Sequence, residues 1–399
     1  MPKKTIAIFY GGKSPEHDVS ILTALQIIEA LDSQIYNALP IYIDKAGSWW
    51  TGAELLVRKN YHFSTIAKKK LDQIYIKIGA NKNIEFFKSK KSLFSKAEKL
   101  SIDLAFPAFH GGQGENGCFQ GFCEFAQLPY IGPRAYCATI WMNKTTTKQI
   151  LKQAQIKILP ELSITKNNLT QLDNLAILLK EHHLTFPLCA KPANLGSSIA
   201  VYKTHNLAEL KVALLAILKL DHEAIIEPFI ADLIEYNIAV TKAFNGQIEV
   251  SAIESPLKES EYLSFKDKYL NSDNLDNKLS VSFSEGMASS SRNLNPKLSP
   301  KQTKFIINTA KAAFAICKGS GVPRIDFLAN RKTGEIWLNE INAIAGSLGY
   351  YLWEARKNQP INFTALLNSL IAEAMLEAEK NNLNYQDLKA FNAAIFPQN

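Results

Sequence analysis

The first thirty residues constrain the fold more than any other stretch. Thr5-Ile-Ala-Ile-Phe-Tyr10 is a short apolar run, cut by Gly11-Gly12 and followed by Ile21, Leu25 and Ile28 at i, i+4 and i+7. An apolar run of that length bounded by glycine reads as a buried strand. The later spacing is that of a helix with one apolar stripe. Strand, glycine turn and helix make a βα unit, which belongs in an open parallel sheet. The same run is too short for a secretory leader, and Gly11-Gly-Lys13 stands where a cleavage site does not fit. No apolar run approaches the roughly 18–20 residues of a spanning helix. Neither export nor membrane insertion is therefore expected.

With 399 residues, 47% of them apolar, the chain is long enough for two or three domains, each with its own core. Ile35–Ile43 and Ile102–Phe109 read as further strands of the first domain, and Pro129-Tyr-Ile-Gly132 as a short strand and turn. From about residue 140 the character changes. Lys144–Gln155 and Leu207–Lys219 read as helices, and Phe186–Pro192, Glu223–Ile226, Ile234–Lys242 and Gln247–Ile253 as strands of more antiparallel type. Residues 255–300 are dense in Ser, Asn, Asp and Lys, the composition of a long functional or disordered loop. Gln302–Ile316 reads as a helix, Pro323–Leu328 and Glu335–Ile341 as a hairpin pair around Asn330–Gly334, and the tail after Pro360 as helical.

Charge and cysteines narrow the function classes. The net charge of +8 is concentrated in residues 58–100, which hold twelve Lys/Arg against three acids. Such a stretch is either a solvated lysine-rich insertion or a surface for nucleic acid or anionic membrane. No nucleic-acid motif accompanies it, so the insertion is the expectation. Cys118, Cys123, Cys137, Cys189 and Cys317 lack CxxC spacing, so no disulfide framework or zinc site is expected, which suits a reducing cytoplasm.

Four segments carry candidate chemistry. Gly11-Gly-Lys-Ser-Pro-Glu16 places a carboxylate at a strand-to-helix turn, where it is either a ligand-binding acid or a first-turn acid favoured by the helix dipole. His110-Gly-Gly-Gln-Gly-Glu115-Asn-Gly117 is a second glycine loop, by itself no more than a turn. Lys191-Pro-Ala-Asn-Leu-Gly196-Ser197-Ser198 joins a lysine at a strand end to a loop able to cradle phosphate, although no Walker motif is present. Arg324-Ile-Asp326 and Glu340-Ile-Asn342 put oxygen ligands at alternate positions of two strands. That arrangement is either a hard-cation site or a surface of paired acid and arginine.

In order and spacing these segments resemble the D-alanine–D-alanine ligases, members of the ATP-grasp superfamily, from about Ile6 to Trp353. The resemblance implies an α/β ATP-grasp architecture: an N-terminal open parallel α/β domain (1–139, with the basic insertion 58–100), then two α+β subdomains (140–233 and 234–399) that clasp ATP. It implies a ligase joining two D-alanines through an acyl phosphate for peptidoglycan, with ATP and two Mg²⁺ (or Mn²⁺) ions. Lys144, Lys191 and Lys268 would hold phosphates, with Ser198 in the same loop. Glu227 and the backbones of Phe229 and Ile230 would line the adenine pocket, and Glu235 would take the ribose. Asp326, Glu340 and Asn342 would coordinate metal. Glu16 would pair with the first amino acid's ammonium, and Ser197 and Tyr269 would bond Glu16, tying down residues 255–300 as a lid. Arg324 and the Gly346 amide would stabilise the tetrahedral oxyanion. His110 and Ser347 are candidates for substrate contact. A cytoplasmic homodimer using D-alanine and ATP, with no nucleic-acid or membrane partner, completes the expectation.

The departures from the family pattern are Asn116 and Asn143 where Asp is usual, Ala200 where Gly is usual, and Asn342-Ala-Ile-Ala-Gly346 where Asn-Thr-x-Pro-Gly is usual. The family's serine for the second carboxylate has no firm match in Gly346–Trp353; Ser347 and Tyr350 stand nearest. A ligase with another second substrate, a different amino acid or a hydroxy acid, and a non-catalytic nucleic-acid or anionic-surface binder using residues 58–100 are the competing readings.

Overall fold

A computed structural model describes residues 2–62, 65–66, 70–78, 84–89, 97–257 and 292–395. The N-terminal βα unit forms as the pattern requires. The strand Lys4–Gly11 is buried over Ile6–Tyr10, and the helix His17–Ala30 turns Ile21, Ala24, Leu25 and Ile27 inward against it. Its strand neighbours, Tyr36–Ile43 and Leu104–Pro107, both run parallel to it. Burial on both faces is what an all-apolar strand demands.

The sheet is mixed rather than purely parallel, which corrects the open parallel expectation. Its seven strands run in the order Lys99–Leu100, Ile84–Lys88, Asp72–Ile78, Trp49–Thr51, Tyr36–Ile43, Lys4–Gly11, Leu104–Pro107. Those from Trp49–Thr51 to Lys99–Leu100 pair antiparallel. The cause is local. Only Asp44–Ser48 separates Ile43 from Trp49, too short a link for a parallel crossover. The described part of the basic stretch adds the antiparallel strands Asp72–Ile78, Ile84–Lys88 and Lys99–Leu100 to the sheet, while Tyr61–His62 and Thr65–Ile66 pair separately. Its three acids pair with its lysines: Lys88 with Glu98 at 2.6 Å and Asp72 at 4.0 Å, and Lys99 with Glu85 at 2.5 Å.

Two further sheets follow. One runs Leu162–Thr165, Glu223–Pro228, Leu188–Pro192, Tyr202–Thr204, all antiparallel, with the helix Leu207–Leu220 packed on it. The other runs Arg292–Leu294, Glu249–Pro256, Leu233–Thr241, Arg324–Asn330, Ile336–Asn342. The helix Pro300–Ile316 covers it, started by a Ser299–Gln302 capping box with proline in the first turn. The helix Phe363–Ile395 closes the chain. No helix among the described residues is long and apolar enough to cross a membrane.

Candidate functional site

The second and third sheets face each other across a cleft lined by Lys144, Lys191, Ser197, Ser198, Glu227, Phe229, Ile230, Glu235, Asp326 and Glu340. Each side is built by a simple device. On the first side, the helix Lys144–Gln153 starts under an Asn143 cap, whose side-chain oxygen accepts from Thr146 N–H. The cap aims Lys144 at the loop after Pro192, where Nζ donates to the Leu195 carbonyl at 2.8 Å and lies 3.4 Å from Glu340. Lys191 leaves its strand toward Asn339 Oδ1 at 3.0 Å and Glu227 Oε2 at 2.5 Å. The other oxygen of Glu227 is ion-paired with Lys148, which is fully buried. Burial alone would raise the Glu227 carboxyl; the two lysines overcome it and hold it down at about 2.

On the opposite side the antiparallel register places Asp326 across from Glu340 and Arg324 across from Asn342, so all four side chains share one face. Arg324 grips Asp326 through two parallel bonds of 2.7 Å, and Asn342 Nδ2 donates to Asp326 Oδ2 at 2.9 Å. Burial, opposed by Arg324 and reinforced by the Glu340 and Glu235 carboxylates, pushes Asp326 up to about 6. The paired acid and arginine are present, and the Glu340 and Glu235 carboxylates crowd around Asp326. Among the described residues no group of three or more His, Cys, Asp or Glu is positioned to hold a metal. The oxygen set of two carboxylates and a carboxamide nonetheless suits a hard cation, and crowded carboxylates are what such a cation relieves.

Glu16 meets the cleft at its lining residue Ser197. Ser197 Oγ donates to its Oε1, joining the N-terminal domain to the phosphate-type loop. Gly111, at φ +66, passes beside Glu16; a β-carbon there would lie 2.6 Å from Oε2, so only glycine permits the approach. Ser197, Ser198 and Ala200 all have left-handed backbone, at φ +55, +58 and +53. That conformation is why glycine suits position 200 and why alanine there carries a steric cost.

His110 and Ser347 come together through Thr23. Its hydroxyl is 2.8 Å from His110 Nε2 and accepts from Ser347 N–H at 3.2 Å. Glu115 bridges the same parts: Gly111 N–H donates to one oxygen at 2.8 Å and Ile344 N–H to the other at 3.0 Å. Burial and the Arg324 charge push His110 down to about 4, whereas burial and the Glu16 charge push Glu115 up to about 7. Gly346 is buried and opens the turn Gly346–Gly349. Tyr350 stacks on Phe363, and Tyr351 donates to buried Glu254. Lys268 and Tyr269 lie outside the described residues, as does most of the 255–300 loop.

Sequence reasoning passed over Lys148, Thr23 and Asn339. Lys148 stands four residues after Lys144, hence on the same helix face, and that spacing was the available signal. Thr23 gives none: it is one hydroxyl in a helix.

Two α+β sheets closing on a cleft, lysines on one wall and carboxylates on the other, define an ATP-grasp protein. Family models agree in detail: the D-ala D-ala ligase N-terminus matches residues 5–133, and the D-ala D-ala ligase C-terminus matches residues 150–372. The D-alanine–D-alanine ligase of Thermosipho melanesiensis is 32% identical over 369 residues, 92% of each chain. The D-alanine–D-alanine ligase structure from Coxiella burnetii has a TM-score of 0.77 at 24% identity, covering 98% of this chain and 99% of its own. The VanG D-Ala:D-Ser ligase structure from Enterococcus faecalis has a TM-score of 0.72 at 24% identity, covering 94% and 100%. The two structural likenesses speak to the fold. The chain belongs to the D-alanine–D-alanine ligase family, whose members are ATP-dependent ligases.

Proposed function

We propose that this chain joins two D-alanine molecules into a dipeptide for peptidoglycan, using ATP and two divalent ions, in the cytoplasm. The observation that carries the reading is the Ser197–Glu16 bond at a cleft whose walls present Lys144 and Lys191 against Asp326 and Glu340. A carboxylate bonded to the lining of a phosphate-binding cleft suits the ammonium of an amino acid, leaving its own carboxylate near the nucleotide. That carboxylate takes the γ-phosphoryl group with ADP departing; the second amine, having lost a proton, then attacks the acyl carbon and phosphate departs. Mg²⁺ held by Asp326, Glu340 and Asn342 would neutralise phosphate charge. Lys144 and Lys191 do the same from the facing wall, while Arg324 and the Gly346 amide meet the developing oxyanion. Ser198 cradles phosphate, Glu227, Phe229 and Ile230 border the base, and Glu235 meets the ribose.

His110 and Ser347 contact substrate, Ser347 on the side of the second amino acid's carboxylate. The reading divides the chain at about 139/140 and 233/234, and makes it a homodimer through the N-terminal domain, which light scattering tests. The decisive assay is product identification by mass spectrometry with ATP, Mg²⁺ and a panel of D- and L-amino acids including D-serine. A D-alanine dipeptide with ADP and phosphate is expected. ATP cleavage with no dipeptide, or a product containing only L-amino acids, would overturn the reading.

A further inference from the structure

Lys148 has no exposed surface, yet it carries an ammonium against one oxygen of Glu227 while Lys191 holds the other. It stands behind the cleft, reaching no ligand itself. Burying a third cation beside Lys144 and Lys191 is costly, and an apolar side chain would fill the space more cheaply if filling were the only need. Its geometric consequence is specific. Glu227 is shared, so the Lys191 ammonium is not neutralised by a carboxylate of its own and stays within 3.0 Å of Asn339, facing the cleft.

We propose that Lys148 is a positioning residue that sets the charge of the phosphate-facing wall: by engaging one side of Glu227 it leaves Lys191 with uncompensated positive charge directed at the nucleotide's phosphates. This rests on the nucleotide reading of the same cleft. Without Lys148, both oxygens of Glu227 turn to Lys191, the pair becomes neutral, and its ammonium is drawn back from Asn339. Glu161, the other acid near Lys148, is pushed up to about 7 by burial against the lowering pull of Lys148, so it carries only part of a charge near neutral pH.

The test compares ligands that differ only in phosphate. Equilibrium binding of ATP and of adenosine is measured on the full chain for wild type, K148M, K148R and K148M/E227Q. For K148M we expect ATP affinity to fall about tenfold and adenosine affinity to change less than about threefold, since the lost interaction is with charge. K148R should return ATP binding to within about threefold of wild type. K148M/E227Q, which removes the carboxylate that would capture Lys191, should recover most of the ATP-to-adenosine preference despite lacking Lys148; because Glu227 also borders the base, the ratio and not the absolute ATP affinity is the readout. Equal losses for ATP and adenosine in K148M, or a double variant whose preference is as low as a tenfold-reduced one, would show that Lys148 merely fills its site. Should K148M fail to fold by circular dichroism, the double variant decides. An ATP-to-adenosine preference near that of wild type supports the proposal, and one reduced tenfold overturns it. Wild-type chain binding neither ligand would overturn the nucleotide reading itself, an outcome distinct from wild-type binding with indifferent variants.

Discussion

The two walls of the cleft are opposite in charge but alike in construction. On the first, Lys148 and Lys191 share one carboxylate, Glu227, and Lys144 also lines the cleft. On the second, Arg324 is bonded to Asp326, and the Glu340 and Glu235 carboxylates crowd Asp326. Each cluster holds more charge of one sign than its bonded partner offsets, and Lys144 and Glu340 meet across the gap, 3.4 Å apart. The lesson is that neither wall is complete alone. On the proposed function, a nucleotide's phosphates and their cations enter that gap and replace a direct contact between protein groups.

The largest expected effect comes from breaking the acidic wall. Glu340→Gln keeps size and hydrogen bonding but removes the charge that faces Lys144. Turnover, followed as phosphate release, should fall about 10²–10³-fold, with an unchanged circular dichroism spectrum. Excess chelator should abolish wild-type activity, and zinc should not restore it, because the ligands are all oxygen. Full activity in chelator would refute the metal assignment.

The loop following Asn342 carries the acidic wall to the N-terminal domain, and its attachment is pH-dependent in two directions. His110 is held down at about 4, below its unfolded value near 6.5, so it contributes stability above pH 6.5 that is lost as pH falls toward 4. Glu115 is raised to about 7, so its contribution is complete below its unfolded value near 4.5 and is lost as pH rises through 7. Each slope amounts to at most about 3 kcal/mol. Thermal melts between pH 4 and 8 should show H110N lacking the acid-side slope and E115Q lacking the slope from 4.5 to 7. Parallel profiles for both variants and wild type would mean that these groups do not titrate as the geometry requires.

How much of this was legible follows from where each signal resides. The strand Lys4–Gly11 was readable because burial on both faces writes an unbroken apolar run, and the Arg324–Asn330/Ile336–Asn342 pair because Asn330–Gly334 marks its turn. The cleft-lining segment from Lys191 through Ser198 was readable as a candidate because a loop proposed to cradle phosphate needs glycine and hydroxyls close in sequence. Pairing between strands was not. Nothing in Trp49–Thr51 announces that it seats the antiparallel strands of the basic stretch, whose lysines read as solvated because their partners Glu85, Glu98 and Asp72 are chosen by register. Lys148 left only its spacing of four from Lys144 as a mark, for a similar reason: helical lysine is normally a surface residue, and only a carboxylate 79 positions later makes it a core one. Tertiary partners, not local pattern, decide such residues.

Where the walls meet the N-terminal domain, Ser197→Ala tests whether that part of the cleft is separate from the nucleotide. Removing one hydrogen bond to the Glu16 carboxylate costs about 1.5–3 kcal/mol, which is about 10–100-fold in kcat/KM for D-alanine. The KM for ATP should stay within about twofold. A rise in the KM for ATP as large as the fall in kcat/KM for D-alanine would place Glu16 with the nucleotide instead.

The smallest effect concerns the brace behind the lysine wall, where this chain departs from its family. Asn143 does two things at once. Its oxygen caps the helix that carries Lys144, and its amide donates to Asn194 Oδ1 at 2.9 Å and Glu223 Oε2 at 3.0 Å. Asn194 cannot reverse its own amide to accommodate a change, because Asp221 takes its side-chain N–H at 2.9 Å and its backbone N–H at 2.7 Å. Asn143→Asp, the family's usual residue, keeps the cap, since aspartate serves there equally well. It also turns an acceptor toward two acceptors, one of them charged. A loss of about 1 kcal/mol in urea unfolding is expected, smaller at high salt, where repulsion between the part-buried carboxylates is screened. The loss should also shrink in the background Glu223→Gln, whose amide supplies the missing donor. Unchanged stability in N143D, or a loss that Glu223→Gln leaves intact, would show that Asn143 is only a helix cap and that the brace does not depend on its amide.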